Sequence, residues 1–162
     1  MPTSCPSPLS AIRVPPAKRP ALFEAFARAH GADLTAAYGV WPPPHLLAAP
    51  QQVWLFEWQE LPGDGQVGWG ALTAEPSEQA AWISLGVWPA WARCGVRHTI
   101  RNQLVAFAQR DGVSHVRIGV LLTNGPHLQR CLAESAAGGE WRHAGMVWWP
   151  TPGYAIFARA AQ

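Results

Sequence analysis

The chain has 162 residues, a formal net charge of +2, 49% hydrophobic residues and only 14% charged residues. This length suits one domain with a sizeable core, and the weak, scattered positive charge argues against a protein that binds nucleic acid. No apolar run approaches the ~20 residues of a membrane span, and the N-terminus lacks the basic start and apolar core of a signal peptide. We therefore expect a cytoplasmic protein that has no nucleic-acid or membrane partner.

The spacing of the cysteines and histidines predicts neither a disulfide framework nor a metal site. The three cysteines, Cys5, Cys94 and Cys131, are far apart in the sequence, and the six histidines are equally dispersed. Neither a Cys-x-x-Cys pair nor a paired Cys/His motif occurs. We expect no bound metal ion.

The first part of the chain predicts a tail, a short strand and a helix. Residues 1–10 are rich in Pro and Ser and predict a flexible tail, which is followed by a single domain over residues 11–162. Residues 11–14 suit a short strand. Pro20 suits a first helical turn, and His30-Gly31 suits a helical end. The apolar face between them consists of Leu22, Phe23, Phe26 and Ala29.

The next stretch predicts two short helices and then three antiparallel strands. The helices are predicted over residues 33–38 and 45–49, on either side of the WPPP segment at 41–44. Strands follow over residues 53–58, 67–72 and 80–87, since apolar residues alternate or run together there. The Leu-Pro-Gly-Asp-Gly segment at 61–65 predicts a hairpin loop, and residues 75–79 predict a second turn.

A strand, a loop, a helix and a strand follow one another between residues 82 and 124. The first strand is stopped by Pro89, and a second strand alternates over residues 116–122. The helix between them is predicted over residues 95–110, because it has apolar residues at helical spacing, at Val96, Ile100, Leu104 and Phe107. In such a unit the functional part is the loop where the strand becomes the helix, because the first N–H groups of a helix are unpaired. That loop covers residues 88–98.

The end of the chain predicts one more helix and two strands. The helix covers residues 126–135, with Pro126 at a permitted early position and Asn124 or Thr123 as the capping residue. The strands are predicted over residues 140–149 and 154–160, joined by a turn at 150–153. The whole order combines an antiparallel front half with one parallel crossover, which indicates an α+β fold.

Two segments of the chain resemble motifs of the GNAT superfamily of acyl-CoA N-acyltransferases. SLGVWPAWARCGVR at 84–97 is similar to that family's strand and glycine loop, and TNGPHLQRCL at 123–132 is similar to its Asn-containing segment. The resemblance covers about residues 11–160. It implies a three-layer fold with a mixed central sheet of about six to seven strands, about four flanking helices, and a splay between the fourth and fifth strands.

The resemblance also implies the cofactor, acetyl-CoA, and the residues that hold it. The diphosphate would rest on the helix start, and the pantetheine arm would lie between the splayed strands. Asn124 matches the family's asparagine beside that arm. The implied contacts come from Leu85, Gly86, Val87, Arg93, Cys94, Gly95, Val96, Arg97, His98 and Asn124.

The catalytic residues depart from the family pattern. Cys131 stands where the family commonly has its general-acid tyrosine, and a thiol can protonate a leaving thiolate, although an inert core cysteine is the alternative. The strand at 82–87 lacks a carboxylate that could act as the general base. We select Glu57 for that role, since alternation places it on the same strand face as Val53 and Leu55. The other candidates are Glu60, Glu75, His98, His127 and His143.

Two functions are compatible with this pattern. The first is an N-acetyltransferase that moves an acetyl group from acetyl-CoA to a primary amine of a small molecule or of a peptide or protein N-terminus, by direct attack. The second is a non-catalytic GNAT-like domain that binds acyl-CoA or a protein partner. Trp41 and Trp91 lie in Pro-rich loops, where they suit a substrate pocket or a homodimer contact.

Overall fold

The structure is a computed structural model that describes residues 8–31, 34, 40–47, 51–61, 63–148 and 153–161. Within these residues the helices are α1 (Arg19–His30), the single turn α2 (Pro44–Leu47), α3 (Val96–Arg110) and α4 (Gly125–Ala136). The strands are β1 (Leu9–Arg13), β2 (Gln52–Trp58), β3 (Gln66–Glu75), β4 (Ala80–Val87), β5 (His115–Leu121), β6 (Arg142–Val147) and β7 (Tyr154–Ala160).

The strands form one seven-stranded sheet in the order β1-β2-β3-β4-β5-β7-β6. Only the central pair, β4 with β5, is parallel, and every other neighbouring pair is antiparallel. Three long helices and the single turn α2 accompany the sheet. The predicted mixed sheet of six to seven strands is confirmed. No helix in the described part of the chain is long and apolar enough to cross a membrane.

Each face of the sheet carries its own hydrophobic core. On one face α3 and α4 pack against the strands through buried side chains that include Leu104, Phe56 and Val120. On the other face α1 packs through Phe23 and Phe26 against Trp69 and neighbouring side chains. The helical spacing of apolar residues on α1 and α3 produces these contacts, because it places one apolar stripe of each helix toward the sheet.

Most predicted boundaries agree with the structure, and the differences have local causes. Strand β1 begins at Leu9, not at residue 11, because Leu9 is buried and pairs with Trp58. The predicted tail therefore overlaps β1. Strand β6 ends at Val147, before the predicted residue 149. The helix predicted at 33–38 and the turn predicted at 150–153 fall mainly outside the described residues, as does the tail over residues 1–7.

The parallel pair β4 and β5 separates along its length. Backbone pairing runs from Ala80 opposite His115 to Trp82 opposite Arg117, and it stops there. Strand β4 nevertheless continues to Val87, held on its other side by β3, and β5 continues to Leu121, held by β7. A gap therefore opens between the C-terminal halves of β4 and β5, as predicted for a splayed pair.

Candidate active site

The backbone of β4 presents polar groups to this gap. The Trp88 N–H donates to the Val67 carbonyl oxygen on β3 at 2.8 Å. The backbone N–H and C=O groups of successive residues in a strand are directed to opposite sides. Since Trp88 faces β3, the N–H and C=O groups of Val87 and Leu85 are directed away from β3, toward the gap. The geometry can therefore accept an extended amide chain between the two strands.

Helix α3 begins beside this gap with a conformation that leaves its first N–H groups without a backbone partner, and Gly95 and Arg97 are exposed there whereas Val96 is buried. Gly95 is the N-cap residue, with a φ of 68° in the left-handed region that glycine tolerates. No side chain caps the helix, and within the described residues the N–H groups of Gly95, Val96 and Arg97 donate to no backbone oxygen. A Cβ atom at Gly95 would meet nothing within 4 Å. The helix start is thus open to an anion.

Basic residue types converge on the same region. Arg93, Arg97 and His98 are exposed around the start of α3. The pKa of His127, in the first turn of α4, is lowered by burial and then by the positive charges of Arg97, Arg130 and Arg101. No ion pair in the described part of the chain uses any of these four arginines. The space between the starts of α3 and α4 therefore has a positive potential that a phosphate would neutralise.

Arg101 links this basic group to the core. Its guanidinium lies 5.3 Å from the ring centroid of Trp141, and its Nη2 donates to His98 Nδ1 at 3.3 Å. Since arginine only donates, Nδ1 of His98 is the acceptor in this contact. The other ring nitrogen, Nε2, lies 3.0 Å from Asn102 Nδ2, which also only donates, so the neutral ring cannot accept from both partners at once. These contacts fix His98 at the rim of the helix start.

Asn124 precedes α4, and its side chain does not cap that helix. Only its backbone takes part, with the N–H donating to Leu121 O at 3.0 Å and the carbonyl accepting from the Leu128 N–H at 2.9 Å. No side-chain capping hydrogen bond forms. The capping role offered as one alternative is therefore wrong for this side chain, and its amide faces no competing intrahelical partner.

Cys131 is buried on α4, in the core that α4 shares with α3. Its Sγ lies 3.9 Å from His127 Nδ1. Burial raises the pKa of the Cys131 thiol, and Glu134 raises it further, while Arg101 and Arg130 act in the opposite direction. The side chain is therefore held as the protonated thiol at neutral pH, the state that a general acid requires.

Glu57 is buried at the end of β2, next to an irregularity in the pairing with β3. Its Oε2 accepts a hydrogen bond from the Gly63 N–H at 3.1 Å, so the carboxylate supports the β2–β3 hairpin. It pairs opposite Gln66, whereas Val87 lies opposite Gly68. The role of general base for Glu57 stays a prediction.

Three of the other predicted candidates for the general base lie elsewhere, whereas His98 and His127 lie in the first turns of α3 and α4. Glu75 binds Arg117 at 2.8 Å and pairs opposite Ala80, at the end of β4 remote from Val87. Glu60 is exposed beside the β2–β3 hairpin, and His143 is exposed on the edge strand β6. The structure does not bring these three side chains to the gap.

One residue at the gap was missed by sequence reasoning. His30, the last residue of α1, places its Nε2 2.8 Å from the Val87 carbonyl oxygen. The sequence indicated only that His30 ends a helix, because its partner lies 57 positions away along the chain. No local pattern reveals a contact between a helix end and a strand that far apart.

Aromatic rings surround His30 on the α1 face of the sheet. The Phe26 ring centroid lies 4.3 Å from the His30 ring and 5.2 Å from that of Trp88. The ring centroids of Trp41 and Phe26 are 5.3 Å apart. Trp41 Nε1 donates a hydrogen bond to the Phe23 carbonyl oxygen at 2.9 Å. Trp91 instead contacts Trp58 on the α3 face. Of the two tryptophans predicted for a pocket, only Trp41 lies on the side of His30.

Comparison with known proteins gives the same architecture. No protein-family model and no curated protein matches the sequence. An aminoglycoside acetyltransferase solved in complex with coenzyme A is 12% identical, with a TM-score of 0.67 over 94% of this chain and 95% of that chain. A ribosomal-protein alpha-N-acetyltransferase is 15% identical, with a TM-score of 0.68 over 94% and 90% of the two chains.

A third solved structure extends the agreement to almost the full length of both chains. A ribosomal-protein N-acetyltransferase from Escherichia coli is 14% identical, with a TM-score of 0.66 over 96% of this chain and 95% of that chain. At such low identity the similarity concerns the fold. The splayed strands, the open helix start and these neighbours together show that the chain has the fold of the GNAT superfamily of N-acetyltransferases.

Proposed function

We propose that this protein is an N-acetyltransferase that uses acetyl-CoA to acetylate a primary amine. The observation that carries the proposal is the open start of α3 beside the gap between β4 and β5, surrounded by arginines that form no ion pair with any described residue. The neighbours in fold include acetyltransferases, one of them solved in complex with coenzyme A, which supports the same conclusion.

The residues around the gap suit the chemistry of coenzyme A. The helix start and the positive side chains suit the diphosphate, since backbone N–H groups and guanidinium groups both donate to phosphate oxygens. The edge of β4 and the Asn124 side chain suit the amides of the pantetheine arm. On this proposal the contacts come from Leu85, Gly86, Val87, Arg93, Cys94, Gly95, Val96, Arg97, His98 and Asn124.

Two groups of the chain would serve the transfer. When bound, acetyl-CoA supplies the acetyl group as a thioester, whose carbonyl carbon forms a bond to the amine nitrogen while its bond to sulfur breaks. The Val87 N–H, directed to the gap, would polarise the thioester carbonyl. The Cys131 thiol would donate a proton to the leaving sulfur of CoA. Burial favours this role because it keeps the Cys131 thiol protonated.

The acceptor that the site favours is an amine on an apolar or aromatic group, or a peptide N-terminus. Carboxylates with a described partner contact the hairpin backbone, Arg117, other cations or, for Asp111, the Gln52 side chain, and none of these partners is His30. A polycationic acceptor would need several carboxylates at the gap. The aromatic side chains around His30 instead favour apolar contact and attraction to a single ammonium group.

The second candidate is a non-catalytic GNAT-like domain that binds acyl-CoA or a partner protein. The specific observations that favour it are the absence of a carboxylate on β4 and the cysteine in place of a general-acid tyrosine. In its acyl-CoA-binding form, the second candidate shares the cofactor site with the enzyme and differs only in turnover.

Two experiments in sequence test the proposal. Thermal unfolding and calorimetry with acetyl-CoA, with CoA and without ligand measure cofactor binding, and we expect both ligands to stabilise the fold. Thiol release from acetyl-CoA is then followed across a panel of aromatic amines, aliphatic amines, polyamines and peptides. Binding with turnover supports the enzyme, and binding without turnover supports the second candidate in its acyl-CoA-binding form. Absence of binding contradicts the enzyme and leaves only the form that binds a partner protein.

A further inference from the structure

We propose that His30 is the general base of the transfer, accepting the proton of the acceptor's ammonium group at its Nδ1 atom. This inference rests on the proposed acetyltransferase function. It deepens that function, because it replaces the predicted base Glu57 by a residue on a different element and on the aromatic side of the sheet.

The hydrogen bond to Val87 fixes the chemical state of the His30 ring. A backbone carbonyl oxygen only accepts, so the nitrogen 2.8 Å away, Nε2, must carry a proton. In the neutral imidazole the other nitrogen, Nδ1, then holds a lone pair. Within the described residues no hydrogen bond occupies Nδ1. The contact therefore selects the tautomer that leaves a basic nitrogen available.

The position of the ring suits a reaction at the gap. Val87 is the last residue of β4, on the strand edge that diverges from β5, and its carbonyl oxygen anchors the imidazole there. The ring of Phe26, 4.3 Å away between centroids, packs against the His30 ring, while His30 remains half-exposed. An amine that reaches the end of β4 would therefore meet a fixed imidazole with access to solvent.

The proton balance closes without another reagent, because the second proton, which leaves the nitrogen as the amide forms, replaces the one that Cys131 gives to the leaving sulfur. The N–H bond of the ammonium group breaks, its proton bonds to Nδ1, and the nitrogen keeps the electron pair with which it attacks. The resulting imidazolium still donates from Nε2 to Val87 O, and this hydrogen bond becomes stronger because the donor is charged. Since the ring is half-exposed, the proton can then pass to water and restore the neutral base.

The alternative base is less well placed. The Glu57 carboxylate already accepts the Gly63 N–H and supports a hairpin. On β4 itself, the polar side chain in the second half of the strand is that of Ser84, which is not basic at neutral pH. His30 is thus the titratable side chain for which the described structure shows a direct contact with the end of β4.

The variant His30→Gln separates proton transfer from structural support. The glutamine amide can still donate to Val87 O, but it has no basic nitrogen. We expect kcat/KM for the amine to fall about 100-fold at neutral pH, with the affinity for CoA unchanged. The deficit should shrink as pH rises, because the amine then loses its proton to solvent. His115→Gln, at the opposite end of the sheet, is the matched control, and Glu57→Gln tests the competing base.

A second measurement does not depend on turnover. Long-range ¹H–¹⁵N NMR spectra of the histidine rings report which nitrogen carries the proton, and we expect His30 in the Nε2–H form. The Nδ1–H form would overturn the proposal. So would transfer by His30→Gln at the wild-type rate, or a loss of rate confined to Glu57→Gln. Failure of the wild-type protein to acetylate any amine would overturn the proposed function and this inference together, whereas normal transfer by His30→Gln overturns only the inference.

Discussion

Gly86 illustrates how a single missing side chain shapes the site. A Cβ atom there would lie 2.5 Å from Phe26 Cζ and 2.5 Å from Trp69 Nε1. Both rings are buried and belong to the core beneath α1. The absence of a side chain at this position lets the aromatic core reach the end of β4, where Val87 and His30 meet.

The variant Gly86→Ala should therefore destabilise the protein. We expect the free energy of unfolding to fall by about 1–3 kcal/mol, because rigid aromatic rings must shift to accept the methyl group. Urea denaturation measures this change. Gly125→Ala is the control, since a Cβ at Gly125 meets nothing within 4 Å. Equal stability of the two variants would show that the aromatic core is looser than the structure indicates.

Cys131 offers a second test at the scale of one residue. If its thiol is the general acid, Cys131→Ala should lower kcat about 100-fold without changing the KM for acetyl-CoA. The comparison variant Leu132→Ala removes partly buried volume from the neighbouring position of α4 and should keep kcat. Steady-state kinetics distinguish the two, and equal kcat values for Cys131→Ala and the wild type would leave Cys131 as a core residue.

The pH profile follows from the same environment. Burial raises the pKa of the Cys131 thiol above the pKa of an ordinary thiol, which is about 8.5. The thiol therefore stays protonated, and can act as an acid, at any pH below that value. The ratio of wild-type to Cys131→Ala rates should therefore remain constant up to at least that pH. A ratio that declines between pH 7 and 8 would contradict this assignment.

Sequence reasoning at the residue scale succeeded where the signal is local. Gly95 and Asn124 were singled out from motifs a few residues long, and both lie at helix starts beside the gap. The bond between His30 and Val87 and the bond between Glu57 and Gly63 depend on how distant elements meet. No periodicity in the sequence contains that information.

At the scale of elements, the charges on helix α3 are arranged in a way that suits an anion at its start. Its first turn contains no acidic residue and carries Arg97, although the positive end of the helix dipole disfavours a cation there. Its last turn carries Arg110, where the dipole favours a cation. The arrangement at the start costs stability in the free protein, and a bound phosphate would offset it.

The pair of variants Arg97→Ala and Arg110→Ala tests this idea. We expect Arg97→Ala to raise the free energy of unfolding by about 0.3–1 kcal/mol, and to weaken CoA binding about tenfold. Arg110→Ala should lower stability slightly and leave CoA affinity unchanged. Urea denaturation and calorimetry supply both quantities. Unchanged CoA affinity in Arg97→Ala at low salt would show that the phosphates bind elsewhere.

Element boundaries were predicted best where apolar spacing and a breaker residue agree. The bounds of β4 and β7 match the predicted 80–87 and 154–160, and α3 begins within one residue of its predicted start. The start of β1 was missed, because Leu9 joins the sheet through its pairing with Trp58 and not through any pattern of its own. The residues around Leu9 have no apolar pattern that would indicate its pairing with Trp58.

At the scale of the whole molecule, the two faces of the sheet carry different groups of candidate functional residues. The face that carries α3 and α4 gathers the open helix start, the arginines and Cys131, while the face that carries α1 gathers His30 and the aromatic rings. The gap between β4 and β5 connects them. The antiparallel front half and the single crossover were predictable from element order, whereas the gap itself came only from the resemblance to a family.

The central claim is that coenzyme A rests its diphosphate on the start of α3 and passes its arm between β4 and β5. A crystal structure of the protein with bound CoA measures this most directly. We predict phosphate oxygens about 2.7–3.2 Å from the N–H groups of Gly95, Val96 and Arg97, with the pantetheine amides paired to the edge of β4 near Val87. CoA bound at another surface, or β4 and β5 closed against each other along their full length, would contradict the account.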